Sequence, residues 1–319
     1  MKIARYFDNG FSHLAIVRHG RLLDLPPKLS IYDILSMPIA ERNIIEQQAG
    51  RQMNAPIENY RLLPPIDPTA LRDFVTFEKH ISGMKKGEPG NGSIPEQWYD
   101  APVYIYMNPH VTYGPNDVIP MPPHTQALDY ELEVAAIILN KASDVSLEEA
   151  GSYIAGYCIL NDWSARDIQG HEMRVGLGPS KGKDFANTLG PWLTTPDELE
   201  QYRDGDRYDL EMTVSINGVQ MGTDSLKNMS WSFEELLVHA SRASVVGRGD
   251  VLASGTSSGG SLSEIWSRTG VREPKPLQVG DVVEMTVTGL GTIRNVIGEV
   301  RSPGHQVGKA RRTYSEEEL

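Results

Sequence analysis

The segment Asp129-Tyr130-Glu131-Leu132-Glu133-Val134-Ala135-Ala136-Ile137-Ile138-Leu139 constrains the fold of this chain more than any other. In a β-strand, successive side chains point to opposite faces. Tyr130, Leu132, Val134, Ala136 and Ile138 then share one face, and Glu131, Glu133, Ala135, Ile137 and Leu139 share the other. Both rows become apolar, which predicts an interior strand covered on both sides. Two carboxylates project together from it. Like charges about 6 Å apart repel by roughly 3 kcal/mol at an effective dielectric of about 20, and desolvation adds to that cost. A shared proton, basic partners or a divalent cation must compensate. Oxygen-only ligands suit hard cations, Mg²⁺, Mn²⁺ or Ca²⁺. The alternative is an edge strand with one face in water.

The rest of the chain reads mainly as β with some α. Asp8-Asn9-Gly10 and Asn217-Gly218 are hairpin turns. Strands are predicted over Val103–Met107, Tyr157–Asn161, Leu210–Ile216, Val251–Ser254, Val282–Thr288 and Ile293–Val300. A helical stretch from Ile31 to Gln52 is divided by Pro38, and Ser232–Ser241 opens another helix. Ser146-Leu147-Glu148-Glu149 has the form of a capping box. A boundary near residue 65 is expected, with a small β-rich module over 1–65 and the main domain over 66–319. The 42 acids outnumber the 30 bases, giving a net charge of −12. That argues against nucleic acid or an anionic membrane as the main partner. The single cysteine, Cys158, excludes an intrachain disulfide and a cysteine-rich metal site. The longest apolar run, Val134–Leu139, is far short of a membrane span. With no apolar signal stretch at the N-terminus, a soluble cytoplasmic protein is expected.

Two further segments carry acids. Asn161-Asp162-Trp163-Ser164-Ala165-Arg166-Asp167-Ile168-Gln169 ends a strand at Asp162. A helix there would put Asp162, Arg166 and Gln169 on roughly one face; the plainer alternative is an N-cap aspartate with an i, i+4 salt bridge. Asp73-Phe74-Val75-Thr76-Phe77-Glu78-Lys79-His80 precedes Ser82–Gly87, expected as a loop. Gly255-Thr256-Ser257-Ser258-Gly259 imitates a nucleophile elbow, but Gly259-Gly260 is poor helix material after the serine. Gly182-Lys183 lacks the upstream glycine and the following Ser or Thr of a phosphate-binding loop.

Taken together, these motifs resemble the fumarylacetoacetate hydrolase superfamily: the E-x-E strand, the block from Asn161 to Gln169, Gly182-Lys183-Asp184-Phe185, Ser254-Gly255-Thr256, and the strand pair from Gly280 to Asn295. The Asp73…His80 spacing looks like the fumarylacetoacetase-type branch rather than the acylpyruvase branch. The resemblance implies a mixed β-roll or β-sandwich catalytic domain with a small SH3-like N-terminal domain, in a homodimer. It implies a divalent cation, Mg²⁺ first with Ca²⁺ or Mn²⁺ as alternatives, held by Asp73, Glu131, Glu133 and Asp162. It implies His80 as the water-activating base, Glu264 as its orienting acid, and Lys183 and Gln169 facing developing negative charge. Arg166, Thr256 and Tyr106 would contact the substrate. The implied reaction is hydrolysis of a C–C bond in a small diketo acid; the alternatives are decarboxylation or isomerisation of an oxaloacetate-like acid. Val75 and Met173 stand where that branch carries substrate-contacting tyrosines.

Overall fold

Alternating hydrophobic rows become two main sheets. The computed structural model describes residues 1–49, 56–87, 92–311 and 313. In chain order the main strands are β1 (Lys2–Asp8), β2 (Phe11–Arg18), β3 (Arg21–Asp24), β4 (Leu71–Phe74), β5 (Tyr104–Met107), β6 (Val118–Met121), β7 (Leu132–Ile138), β8 (Ile154–Asp162), β9 (Asn187–Thr194), β10 (Glu211–Ile216), β11 (Val219–Ser225), β12 (Val251–Ala253), β13 (Val282–Val287) and β14 (Gly291–Val300). The larger sheet runs β3-β2-β1-β9-β8-β7-β12-β4-β5, and the smaller runs β11-β10-β13-β14-β6. β12 with β4 and β14 with β6 pair in parallel. The molecule is mixed α/β and mostly sheet.

The expected interior strand is β7, and each of its residues is buried. It separates two cores. Leu132, Val134, Ala136 and Ile138 pack with Met212, Val214, Met285 and Ile293 of the smaller sheet, and with Phe233, Leu236 and Leu237 of a helix. Ala135 and Ile137 pack on the other side with Leu71, Cys158, Leu160, Ile31 and Ile34. Burying each large aliphatic side chain contributes about 1.5–3 kcal/mol, so this strand is held firmly on both faces. The row of Ala135 and Ile137 continues backward to Glu133 and Glu131.

The helices of five or more residues are α1 (Ile31–Leu35), α2 (Ile39–Ala49), α3 (Glu78–Met84), α4 (Arg166–Glu172), α5 (Phe233–Ser241) and α6 (Leu262–Thr269). Pro38 divides α1 from α2 as expected; residues 50–52 of the predicted stretch lie outside the described residues. α5 opens with a capping box, Ser232 with Glu235. The box expected at Ser146 does not form, because its hydroxyl meets the Glu149 carboxylate and caps no backbone N–H. Ser82–Gly87, expected as a loop, is helical through Met84 and then forms a short 3-10 turn. At the N-terminus, Asn9 and Gly10 take φ of 48° and 86°, the left-handed pair that a tight β1–β2 hairpin requires. β1 pairs with β9 through Lys2–Thr194 and Ile3–Leu193, so β1–β3 extend the larger sheet. No described helix is long and apolar enough to cross a membrane.

Candidate functional site

Strand register brings four acids to one place. Glu133 pairs with Leu160 and Leu132 with Asn161, so Asp162 arrives beside Glu131, whose carbonyl accepts the Asp162 N–H at 3.3 Å. Ala135 pairs with Ala253, and Ala253 with Asp73, which carries the Asp73 carboxylate to the same end of the same face. One oxygen from each of Asp73, Glu131, Glu133 and Asp162 lies within 4.8 Å of the others, and all four residues are buried. Thr256, just beyond β12, donates its hydroxyl to Glu133 Oε1 at 3.5 Å.

Two cations face the cluster. Lys183 Nζ donates to Glu131 Oε2 at 2.5 Å and also to Asp162 Oδ2. Arg166 donates to Glu131 Oε1 at 2.6 Å, to Asp129 Oδ2 at 2.8 Å and to Gln169 Oε1 at 3.1 Å. Against the expectation from sequence, Asp162, Arg166 and Gln169 do not all share one helical face. Asp162 ends β8, whereas α4 begins at Arg166 after an Ala165 cap, so Asp162 lies off the helix. Arg166 and Gln169 do share a helical face and do meet.

Even with both cations counted against the cluster, two carboxylates remain in excess. Burial first, relieved in part by Lys183, pushes the Asp73 carboxyl up to about 7. Burial and the neighbouring acids push Glu133 and Asp162 well above the ordinary carboxylate range. Burial opposes charge on Glu131 too, but Arg166 and Lys183 prevail and hold it well below that range. Asp73 Oδ1, Glu133 Oε2 and Asp162 Oδ1 are buried with no hydrogen-bond partner. Three orphaned oxygens inside one all-oxygen cluster fit a hard divalent cation, which supplies the missing partner and the missing charge.

Beside this cluster, α3 and α6 bring His80 and Glu264 together, with Nδ1 of the ring 2.7 Å from Glu264 Oε2. Both are buried. Burial opposes ionisation of Glu264, but bonds from His80, the Gly259 N–H and Arg268 hold its carboxyl below the ordinary range. A carboxylate only accepts, so Nδ1 carries the proton and Nε2 of the neutral ring keeps its lone pair. The serine of the false elbow has no such role: Ser257 is buried and donates to the Leu132 carbonyl at 3.0 Å.

Tyr106 does not join the group. It pairs with Arg72, not with Asp73. Its ring lies 5.2 Å from the Arg72 guanidinium, on the face of the sheet opposite the acids, and is 65% exposed. Alternation on β4 is the reason, because neighbours in sequence point to opposite sides. Asp129 was not picked out from the sequence, yet it links two elements of the site. It accepts Arg166 and also the N–H groups of Leu262 and Ser263 at the start of α6, at 2.8 and 2.9 Å. The signal was the D-x-E-x-E spacing, which extends the acid row by one step.

Residues 69–298 match the family model described as fumarylacetoacetate (FAA) hydrolase, C-terminal. The chain is 34% identical over 199 residues to 2,4-didehydro-3-deoxy-L-rhamnonate hydrolase of Sphingomonas sp. (strain SKA58), covering 61% of this chain and 64% of that relative, or less than two thirds of its length. It is 30% identical over 243 residues to an oxaloacetate tautomerase of Bacillus subtilis (strain 168), covering 76% and 74%. Its fold matches the crystal structure of maleylpyruvate hydrolase from Sphingobium sp. SYK-6 in complex with manganese(II) and pyruvate, at a TM-score of 0.69 and 19% identity, over 94% of this chain and all of that one.

Proposed function

We propose, because the chain belongs to the fumarylacetoacetate hydrolase family, that it is a metal-dependent hydrolase cleaving a C–C bond in a small 1,3-diketo acid of the acylpyruvate or fumarylacetoacetate type. The observation that carries this reading is the His80–Glu264 contact of 2.7 Å beside the four-acid cluster. Asp73, Glu131, Glu133 and Asp162 would hold the cation, with Mg²⁺ first and Ca²⁺ or Mn²⁺ as alternatives; the manganese of the Sphingobium maleylpyruvate hydrolase supports a divalent ion. Bound there, a divalent cation supplies Lewis acidity and offsets the excess negative charge. Glu264 keeps the proton of His80 on Nδ1, so Nε2 takes a proton from water. The hydroxide adds to the carbonyl carbon, and Lys183 and Gln169 donate toward the oxygen that gains charge. Arg166 keeps Glu131 in place, and Thr256 does the same for Glu133. When the C–C bond breaks, its electron pair passes to the adjacent carbon, which takes up the proton that His80 removed. The relative named as a 2,4-didehydro-3-deoxy-L-rhamnonate hydrolase supports a hydrolytic outcome.

A second reading is keto–enol isomerisation or decarboxylation of an oxaloacetate-like acid, favoured by the likeness to the Bacillus tautomerase. That chemistry adds no water and needs no water base. Acylpyruvates, β-diketones and oxaloacetate, each with Mg²⁺ or Mn²⁺, should be screened for loss of enol absorbance and for the number of products. Two products from an acylpyruvate, lost in His80→Ala with divalent-ion binding retained, is the expected result. Full activity in that variant, or turnover unchanged by a chelator, overturns the reading. A cytoplasmic homodimer completes the proposal; light scattering on the eluted protein tests the oligomer.

A further inference from the structure

The His80–Glu264 pair is itself held from behind. Glu264 spreads its two oxygens over several neighbours, the Ser258 hydroxyl among them at 3.4 Å from Oε1. Oε2 accepts His80 Nδ1 and the Gly259 N–H, both at 2.7 Å. Oε1 accepts Arg268 Nε at 2.8 Å and lies 2.7 Å from Arg268 Nη2. The same Nη2 donates to the carbonyl of Lys79 at 2.7 Å, one residue before His80 on α3. One guanidinium therefore grips the carboxylate of α6 and the backbone that carries the histidine. Glu264 and Arg268 lie one turn apart on α6, as His80 and Gly83 do on α3. A Cβ at Gly83 would stand 2.6 Å from both Arg268 Nη2 and Glu264 Oε1, so α3 approaches this pair only with no side chain there. The Arg268 side chain is 36% exposed, so it is only partly buried.

We infer that Arg268 is a positioning residue for the catalytic pair, fixing the Glu264 carboxylate and the His80 backbone in one frame, and that Gly83 is a glycine to leave room for it. The inference rests on the hydrolase reading above only for the word catalytic; the clamp stands on its own geometry. A planar fork presents its donors in a fixed geometry that suits both partners, whereas an ammonium is a point charge on a flexible stem. Freed from Arg268, the carboxylate can swing, and small misplacement of a base costs rate rather than binding.

The test uses the full-length protein with Mg²⁺ and acetylpyruvate. Arg268→Gln should lower kcat by about 10- to 100-fold with KM unchanged. Arg268→Lys should recover part of that loss. Gly83→Ala should also lower kcat, because its methyl would force the guanidinium and the Glu264 carboxylate out of place. In a Glu264→Gln background, Arg268→Gln should cost nothing more. In ¹⁵N-histidine-labelled protein, the Nδ1 resonance of His80 should move in Arg268→Gln. Wild-type kcat in Arg268→Gln, or losses that multiply with Glu264→Gln, overturns the inference. If acetylpyruvate is not turned over even by the wild type, the loss lies with the hydrolase reading, and the resonance decides alone: a shift supports the clamp, an unmoved signal overturns it.

Discussion

Asp73 and Glu133 keep their protons to higher pH than ordinary carboxyls do, because burial first, and then the neighbouring acids, disfavour the charged form. In the folded chain without a cation these groups hold protons that the unfolded chain has released. Folding stability therefore falls as pH rises from the ordinary carboxylate range, about 4, through the folded value of about 7 for Asp73. Glu131 runs the other way, and its stabilisation fades only as pH drops below that range. A bound cation displaces the protons, so the gain in melting temperature on adding Mg²⁺ should be small at acid pH and grow toward pH of about 8. Thermal unfolding with Mg²⁺ or with a chelator across this span checks it; a gain that does not vary with pH refutes it. The acids were readable in the sequence because period-two spacing exposes them. Arg268 was not, since its partners Glu264 and Lys79 meet only when α3 packs on α6.

Among the elements, the loop after α4 deserves a measurement of its own. Glu172, the last residue of that helix, accepts the backbone N–H groups of Ser180, Lys181 and Gly182 at 3.0, 2.8 and 3.0 Å. These bonds close the loop and set the backbone from which Lys183 reaches the acids. Gly182 sits so close to Gln169 that a Cβ would stand 2.6 Å from its backbone nitrogen. Glu172→Ala should cost about 1–2 kcal/mol in denaturant unfolding and, by misplacing the Lys183 charge that opposes a cation at the acids, should strengthen Mg²⁺ binding. Unaltered Mg²⁺ affinity would show that Lys183 is set from elsewhere. The strands were mostly visible in the sequence, since alternation is a local property. β9 was missed because Gly190-Pro191 lies in its middle, and proline in a run argues against an interior strand. Neighbours β1 and β8 supply the pairing that the local pattern does not announce.

For the molecule as a whole, the large sheet is shared by two cores, one on each face. Cys158 lies within it on β8, fully buried, and burial pushes its thiol up to about 12. Without thiolate or access it cannot react. A thiol reagent should leave the native protein unlabelled and should label it in step with the loss of circular dichroism in urea. Labelling that precedes that transition would mean the sheet opens before the rest. The two-layer arrangement could be anticipated from strands apolar on both faces. The placement of β1–β3 on its edge could not, because nothing local to residues 1–24 specifies β9 as a partner.

The alternation of β7 has one more consequence. A slip of one residue against β8 would turn Glu131 and Glu133 into the core beneath the smaller sheet, and Leu132 and Val134 toward the acids. Neither exchange is tolerable, so the two glutamates also proofread the alignment of the strand on which the sheet is built. An inactive variant with both replaced by leucine would lose that safeguard, and its chains would sample misaligned pairings that the native sequence forbids.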